Sequence, residues 1–221
     1  QRLFVINSDA GTIDVFDFSN PANMQRIAQL DPVSDDATAG VTLDGVNSVA
    51  VSSKGVVAAA LEADPATDNG RIGFYNAQSL QYLGSVEAGP LPDMVGFTPD
   101  GNLVFSANEG ETPEDANDDE LRVFADDVPG SVTVADIRNG IGNAVVSRVG
   151  FEDFNAGGSR AAELPAGVRI NPNALSVAHD LEPEYITVSD DGTRAFVSLQ
   201  ENNAIGVINL ANRTVERIIG L

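Results

Sequence analysis

The sequence predicts an all-β fold, a β-propeller of four-stranded antiparallel blades, and three observations predict it. First, the stretch PDMVGFTPDGNLVFSANEG over 92–110 reads as two alternating apolar strands, 94–98 and 103–107, joined by the turn Pro99-Asp100-Gly101 and closed by Glu109. Second, the pattern returns as PEYITVSDDGTRAFVSLQEN over 183–202, with Asp190-Asp191-Gly192 in the turn, and in weaker form as VNSVAVSSKGVVAAALEA over 46–63. Third, two further strands follow each copy, so the repeating unit has four beats. A sandwich would need about seven strands without this internal homology.

Within the unit the strands are lettered A to D. Strand C aligns without gaps at 12–18, 71–77, 131–137 and 204–210, apolar at its second and fourth places and Asp or Asn at its sixth: Asp17, Asn76, Asp136 and Asn209. An Asx side chain there predicts a hydrogen bond to the turn that follows. Strand D follows at once, at 24–30, 80–86, 144–149 and 214–219. The first unit enters on strand B, at 3–7, and lacks its A, so fifteen strands are predicted. The blades run approximately 1–31, 46–89, 92–151 and 183–221.

Asn47 and Asp93 are 46 residues apart, but Asp93 and Glu184 are 91 apart. The surplus sits in two insertions, 109–130 between strands B and C, and 151–181 after strand D, with a short helix expected at 159–164. Long loops in compact domains are more often functional than idle. A chain that enters in mid-blade is expected to be part of a larger propeller, its remaining blades on another chain or elsewhere in the same one.

Acids outnumber bases 33 to 12, a net charge of -21, which repels nucleic acid and anionic membrane surfaces. The chain has no cysteine, hence no disulfide framework and no thiolate chemistry. No apolar run approaches the roughly 20 residues of a membrane span, so no direct membrane insertion is expected. The 21 glycines and 43% hydrophobic residues suit a turn-rich β protein.

The phrases GTIDVFDFSNPAN, EAGPLPDMVGFTPDGNLVFSANEGE and HDLEPEYITVSDDGTRAFVSLQENNAIGVINL resemble the choice-of-anchor I family of bacterial surface propellers, over nearly the whole chain. That family is related to YVTN-type surface-layer propellers, and some of its members are described as atypical alkaline phosphatases. The resemblance implies a longer propeller and an extracellular or cell-surface location. It carries no catalytic residue to any position of this sequence.

Aligned strand B places an acid at one equivalent position in every unit: Asp9, Glu62, Glu109 and Glu201. Asn47, Asp93 and Glu184 stand at the start of strand A. Because A and B are antiparallel neighbours, these oxygens are expected to ring one face of the propeller. Two readings stay open, loop caps or a shared cation, which would be calcium given hard oxygen ligands and no cysteine. A capping role tolerates Ser, Thr or Asn, yet strand B offers an acid four times.

The acidic loop 109–120 also contains Asp115, Asn117 and Asp119 at the odd-position spacing of a calcium loop, with Asp126 at the twelfth place. Glu120 stands where an EF-hand needs Gly, so the match is partial. The stretch from Asp64 to Gly70 reads as a turn. His179, the single histidine, is read as structural, and Arg138, Arg148, Arg160 and Arg169 as ion-pair partners. No G-x-S-x-G elbow, Walker loop or H-E-x-x-H occurs. The sequence thus points to a binding or scaffold module with a calcium-binding face. The alternatives are a calcium-dependent phosphoester hydrolase and a structural subunit of a surface layer or fibre.

Overall fold

The structure, a computed structural model, describes residues 1–36, 41–115 and 118–221. Strands β1 (Arg2–Asn7), β2 (Thr12–Asp17) and β3 (Gln25–Leu30) form a three-stranded antiparallel sheet. A single helical turn, α1 (Pro32–Asp35), precedes the second sheet, β4 (Leu43–Val51), β5 (Val56–Ala63), β6 (Asn69–Asn76) and β7 (Tyr82–Pro90). The third sheet holds β8 (Pro92–Phe97) and β9 (Leu103–Asn108). A small hairpin follows, β10 (Glu114–Asp115) and β11 (Asp118–Arg122), before β12 (Ser131–Asp136) and β13 (Val145–Val149) complete that sheet. After the second insertion and the short helix α2 (Val177–Asp180) comes the fourth sheet, β14 (Pro183–Val188), β15 (Arg194–Leu199), β16 (Ala204–Asn209) and β17 (Thr214–Gly220). The four sheets contain the fifteen expected strands, and the first lacks strand A.

Turn chemistry explains why the strands end where they do. In every sheet the Asx closing strand C accepts a hydrogen bond from the amide two residues on: Ser19 to Asp17 (2.9 Å), Gln78 to Asn76 (2.9 Å), Arg138 to Asp136 (3.2 Å) and Ala211 to Asn209 (3.0 Å). The A–B turns of sheets 3 and 4 put Gly101 and Gly192 at φ 63° and 68°, a region that favours glycine. Leu80 also takes a positive φ, 63°, so β7 starts at Tyr82 rather than at residue 80. The helix expected at 159–164 is only a 3-10 turn, Ala161–Glu163.

Successive sheets stack through three apolar cores. Ile13, Val15 and Leu30 of sheet 1 meet Val57, Ala59 and Leu61 of β5. The alternate β5 residues, Ala58 and Ala60, face Val95, Val104 and Ala135 of sheet 3. Sheet 3 in turn meets Ile186, Val197, Leu199 and Ile208 of sheet 4 through Phe105, Ala107 and Val132. Thus β5 is buried on both faces, which is why it reads VVAAALEA rather than alternating with polar residues. Strand β8 packs beside both β4 and β14, so the A strands gather together as the inner strands of propeller blades.

The second insertion is part of this core. Phe151, Phe154, Ala178 and Leu181 are buried between sheets 3 and 4. Arg160 ties the insertion to the edge strand β17. Its guanidinium stacks 4.7 Å over the Phe154 ring, pairs with Glu163 at 2.7 Å, and donates to the carbonyls of Val215 and Glu216, the latter at 2.8 Å. Arg160→Ala is expected to cost about 1–3 kcal/mol in urea denaturation, because two backbone acceptors and a cation–π contact are lost together. A loss under about 0.5 kcal/mol would mean that the insertion is held by its apolar residues alone.

Candidate functional site

The acid-bearing end of the blades is built by register. In sheet 2 strand A begins at Leu43, so Asn47 lies mid-strand rather than at its start; at the register shift between Val46 and Ser48 it donates from Nδ2 to Glu62 Oε2, near the end of strand B, 3.0 Å away. The same Asn47 nitrogen reaches the carbonyl of Pro92 in the next sheet at 3.4 Å. In sheet 3, the buried Asn108 accepts from Ser106 Oγ (2.7 Å) and donates to Ser131 Oγ (3.1 Å) and Thr133 Oγ1 (3.0 Å). That network fixes the end of β9, and the Glu109 amide then bonds the Leu91 carbonyl at 2.9 Å. Glu109 is thereby held beside the start of β8, where Asp93 lies.

Sheet 4 supplies the other side through Asn202, buried in the B–C turn. Its Nδ2 donates to the carbonyls of Arg169 (3.0 Å) and Asp180 (2.7 Å) and to Asp180 Oδ2 (3.0 Å), while its Oδ1 accepts from the Glu182 amide at 3.3 Å. The two phrases HDLEPEY and LQENNA therefore meet at one amide side chain. Glu109, Glu111, Thr112, Asp180, Glu182 and Glu201 line a cavity of about 280 Å³ between sheets 3 and 4.

The acids repel one another. Burial first, then the charges of Glu111, Asp93, Glu182 and Glu184, push the Glu109 carboxyl up to about 8. Burial first, then Glu111, Asp180, Glu201 and Asp127, raises Glu182 to about 7. Asp93 is raised by burial and by Glu62, and Glu184 by burial and then by Asp93, Glu201 and Glu111. Basic groups near the cavity are already engaged: Arg122 pairs with Glu111 (3.0 Å) and Glu114 (2.8 Å), and Arg169 lies 3.7 Å from Glu201.

Of the acids singled out in the sequence, the structure thus brings Glu62, Asp93, Glu109, Glu184 and Glu201 to one face of sheets 2 to 4. Asp9 is exposed in the 3-10 turn Ser8–Ala10 after β1 and makes no side-chain hydrogen bond or ion pair among the described residues. Asn117 lies outside the described residues, as do the side chains of Asp115 and Asp119. Among the described residues no three Asp, Glu or His side chains are grouped to hold a metal ion. His179 bonds Ser176 Oγ through Nδ1 at 2.8 Å. Arg138, Arg148 and Arg160 pair with Asp136 (2.9 Å), Glu87 (4.0 Å) and Glu163. Sequence reasoning missed Glu111, Asp180, Glu182 and Asn202 as parts of one site. Their signals were the acid density of HDLEPEY and of the loop 109–120, and for Asn202 the phrase LQENNA.

The profile of the choice-of-anchor I domain matches residues 1–221. The chain belongs to the choice-of-anchor I domain family. No curated protein matches the sequence of this choice-of-anchor I domain. Among solved structures, a functionally unknown protein from Desulfotomaculum acetoxidans superposes with a TM-score of 0.60 at 13% identity, covering 99% of this chain and 52% of that one. Hydrazine synthase of Kuenenia stuttgartiensis gives 0.57 at 14%, covering 94% and 49%. The Cps50 (Swd1) β-propeller domain of Myceliophteria thermophila gives 0.51 at 9%, covering 100% and 58%. At such identities the likeness is one of fold, the β-propeller. The choice-of-anchor I domain spans about half the length of the solved structures it matches.

Proposed function

We propose that this choice-of-anchor I domain is an extracellular, cell-surface propeller module that binds or scaffolds through its acidic mouth, with calcium as the cation drawn there. The observation that carries this reading is the convergence of five aligned acids from three consecutive sheets, with Glu109 and Glu182 made proton-hungry by burial and mutual repulsion. A face in that state lowers its free energy by taking up positive charge, whether as protons or as a hard cation.

Millimolar calcium is expected to raise the melting temperature, since a ligand bound only by the folded state stabilises it by mass action. Glu109→Gln should weaken that gain more than Asp17→Asn, because Asp17 closes a turn after strand C. An unchanged melt in calcium would count against cation binding. Surface location is tested separately, by adding protease to intact cells: full protection of the domain would refute it.

Both outer sheets support the further reading that more blades, on the same or another chain, adjoin these four. Leu3 and Val5 of β1 point away from the core shared with sheet 2 and are 37% and 41% exposed, and Tyr185 of β14 is 67% exposed. Apolar sheet faces of this kind are ordinarily covered.

A further inference from the structure

We propose that the boundary between sheets 3 and 4 contains a binding site for a hard divalent cation, calcium, whose inner ligand is Asp127, with Thr112 and Glu182 at its wall. The site rests on the reading of the mouth as a cation-binding surface, but it uses none of the acids that the repeat alignment singles out.

Asp127 follows the 3-10 turn Phe124–Asp126 at the end of the first insertion. Three residues on, the Gly130 amide bonds the Ala178 carbonyl at 3.1 Å, which draws this segment against α2. Asp127 is left 7% exposed, and neither of its carboxylate oxygens has a hydrogen-bond partner among the described residues. The Thr112 hydroxyl and the Val128 amide come close enough to favour the ionised form without completing a hydrogen bond.

An ionised carboxylate without a partner is costly to bury, so the group needs either a proton or a positive charge. The charges that act on Asp127 are His179 and Asp180, and Asp127 itself acts on Glu182. Among the described residues His179 is not ion-paired with Asp127, and its Nδ1 is engaged by Ser176 at 2.8 Å. Arg122 and Arg169, the arginines of the cavity, are turned to Glu111, Glu114 and Glu201.

Thr112 and Glu182 line the cavity and are the groups of its wall that interact with Asp127, so an ion held there would have two carboxylates, a hydroxyl and waters as its donors. With oxygen donors only and no thiol, the donor set suits calcium better than zinc. Because no trio of carboxylates is assembled, the expected affinity is that of weak extracellular calcium modules, a Kd of about 0.1–1 mM.

Calorimetric titration with calcium chloride at neutral pH, beside calcium-free and calcium-loaded melts, tests the proposal. One saturable site is expected. Asp127→Asn should weaken it at least tenfold while the calcium-free variant melts no lower than the parent, since the amide removes an uncompensated buried charge. If Asp127→Asn binds calcium as the parent does, or if it lowers the melt equally with and without calcium, the carboxylate is structural and the proposal is wrong. Should that variant not fold, Thr112→Val decides: several-fold weaker binding supports the site, and unchanged binding overturns it. Binding lost in Glu109→Gln but kept in Asp127→Asn would overturn this site and leave the mouth reading standing.

Discussion

Phe151→Ala is expected to destabilise the protein by about 3–5 kcal/mol, the range for removing a fully buried aromatic ring. Phe151 is 0% exposed and stands two residues after the end of β13, where the chain turns into the second insertion. Its ring lies over Gly206 of β16, where a Cβ would sit 3.6 Å from the ring and only 2.8 Å from Val197 Cγ1. A side chain at Gly206 would thus touch the ring at ordinary contact distance but would collide with Val197, so the glycine lets Val197 and the ring pack over β16 together. The surrounding strands are tied into two hydrogen-bonded sheets and cannot collapse into the void, so the upper part of the range is expected. Urea denaturation measures it as a shift of midpoint at constant slope. The mouth should loosen too, since Phe151, Phe154 and Leu181 anchor the segment that carries Asp180 and Glu182. A cost below about 1 kcal/mol would mean that sheets 3 and 4 are not packed through this insertion.

The second large effect is a pH dependence opposite to that of most proteins. Glu109 and Glu182 titrate at about 8 and about 7 when folded, above the ordinary glutamate value of about 4.3. The folded state thus binds protons more tightly than the unfolded one. Their contribution is fully present below pH of about 4 and is lost as pH rises through the folded values, toward pH 8. Asp17, Asp100, Asp191, Glu163 and Glu216 are lowered by hydrogen bonds or Arg partners, so they act below the usual carboxylate range and do not cancel this window.

Allowing for solvent screening of partly exposed groups, about 2 kcal/mol should separate pH 5.5 from pH 8, or about 4–8 °C in melting temperature. Glu109→Gln should remove most of that slope and make the protein more stable than the parent at pH 8. Scanning calorimetry across the window checks this. A melting temperature that is flat in the parent, or that falls equally in the variant, would show that the acids do not crowd one another.

The repeat was legible because every blade writes its own local rule: apolar alternation, a turn with glycine, and an Asx two residues before the next bend. Asn76 and Asn209 act through neighbours two and three residues away, and such contacts can be read from one stretch of chain. The shared face of Glu62, Asp93, Glu109, Glu184 and Glu201 was legible for the same reason, since antiparallel pairing fixes which ends coincide. Asp180, Glu182 and Asp127 were not. They are placed by the two insertions, whose contacts (Asn202 to Asp180, Gly130 to Ala178) join residues far apart in sequence and recur in no other blade. Asp9 shows the limit of alignment alone. It occupies the equivalent position, but sheet 1 has no strand A to bring a second acid beside it.

The interruption of sheet 3 also bears on how the chain acquires its shape. Sheets 1, 2 and 4 grow by adding each strand to the one just made, whereas β9 must wait for β12 while the whole stretch 109–130 is synthesised and condensed. Closing that span costs about 1.5 kcal/mol more entropy than closing a turn of a few residues. Sheet 3 is therefore expected to be the slowest of the four to form, and it is also the sheet on which both neighbouring cores depend. The β10–β11 hairpin and the ion pairs of Arg122 shorten the effective distance between β9 and β12. The loop that carries so many acids is thus expected also to help the middle of the molecule to form in time.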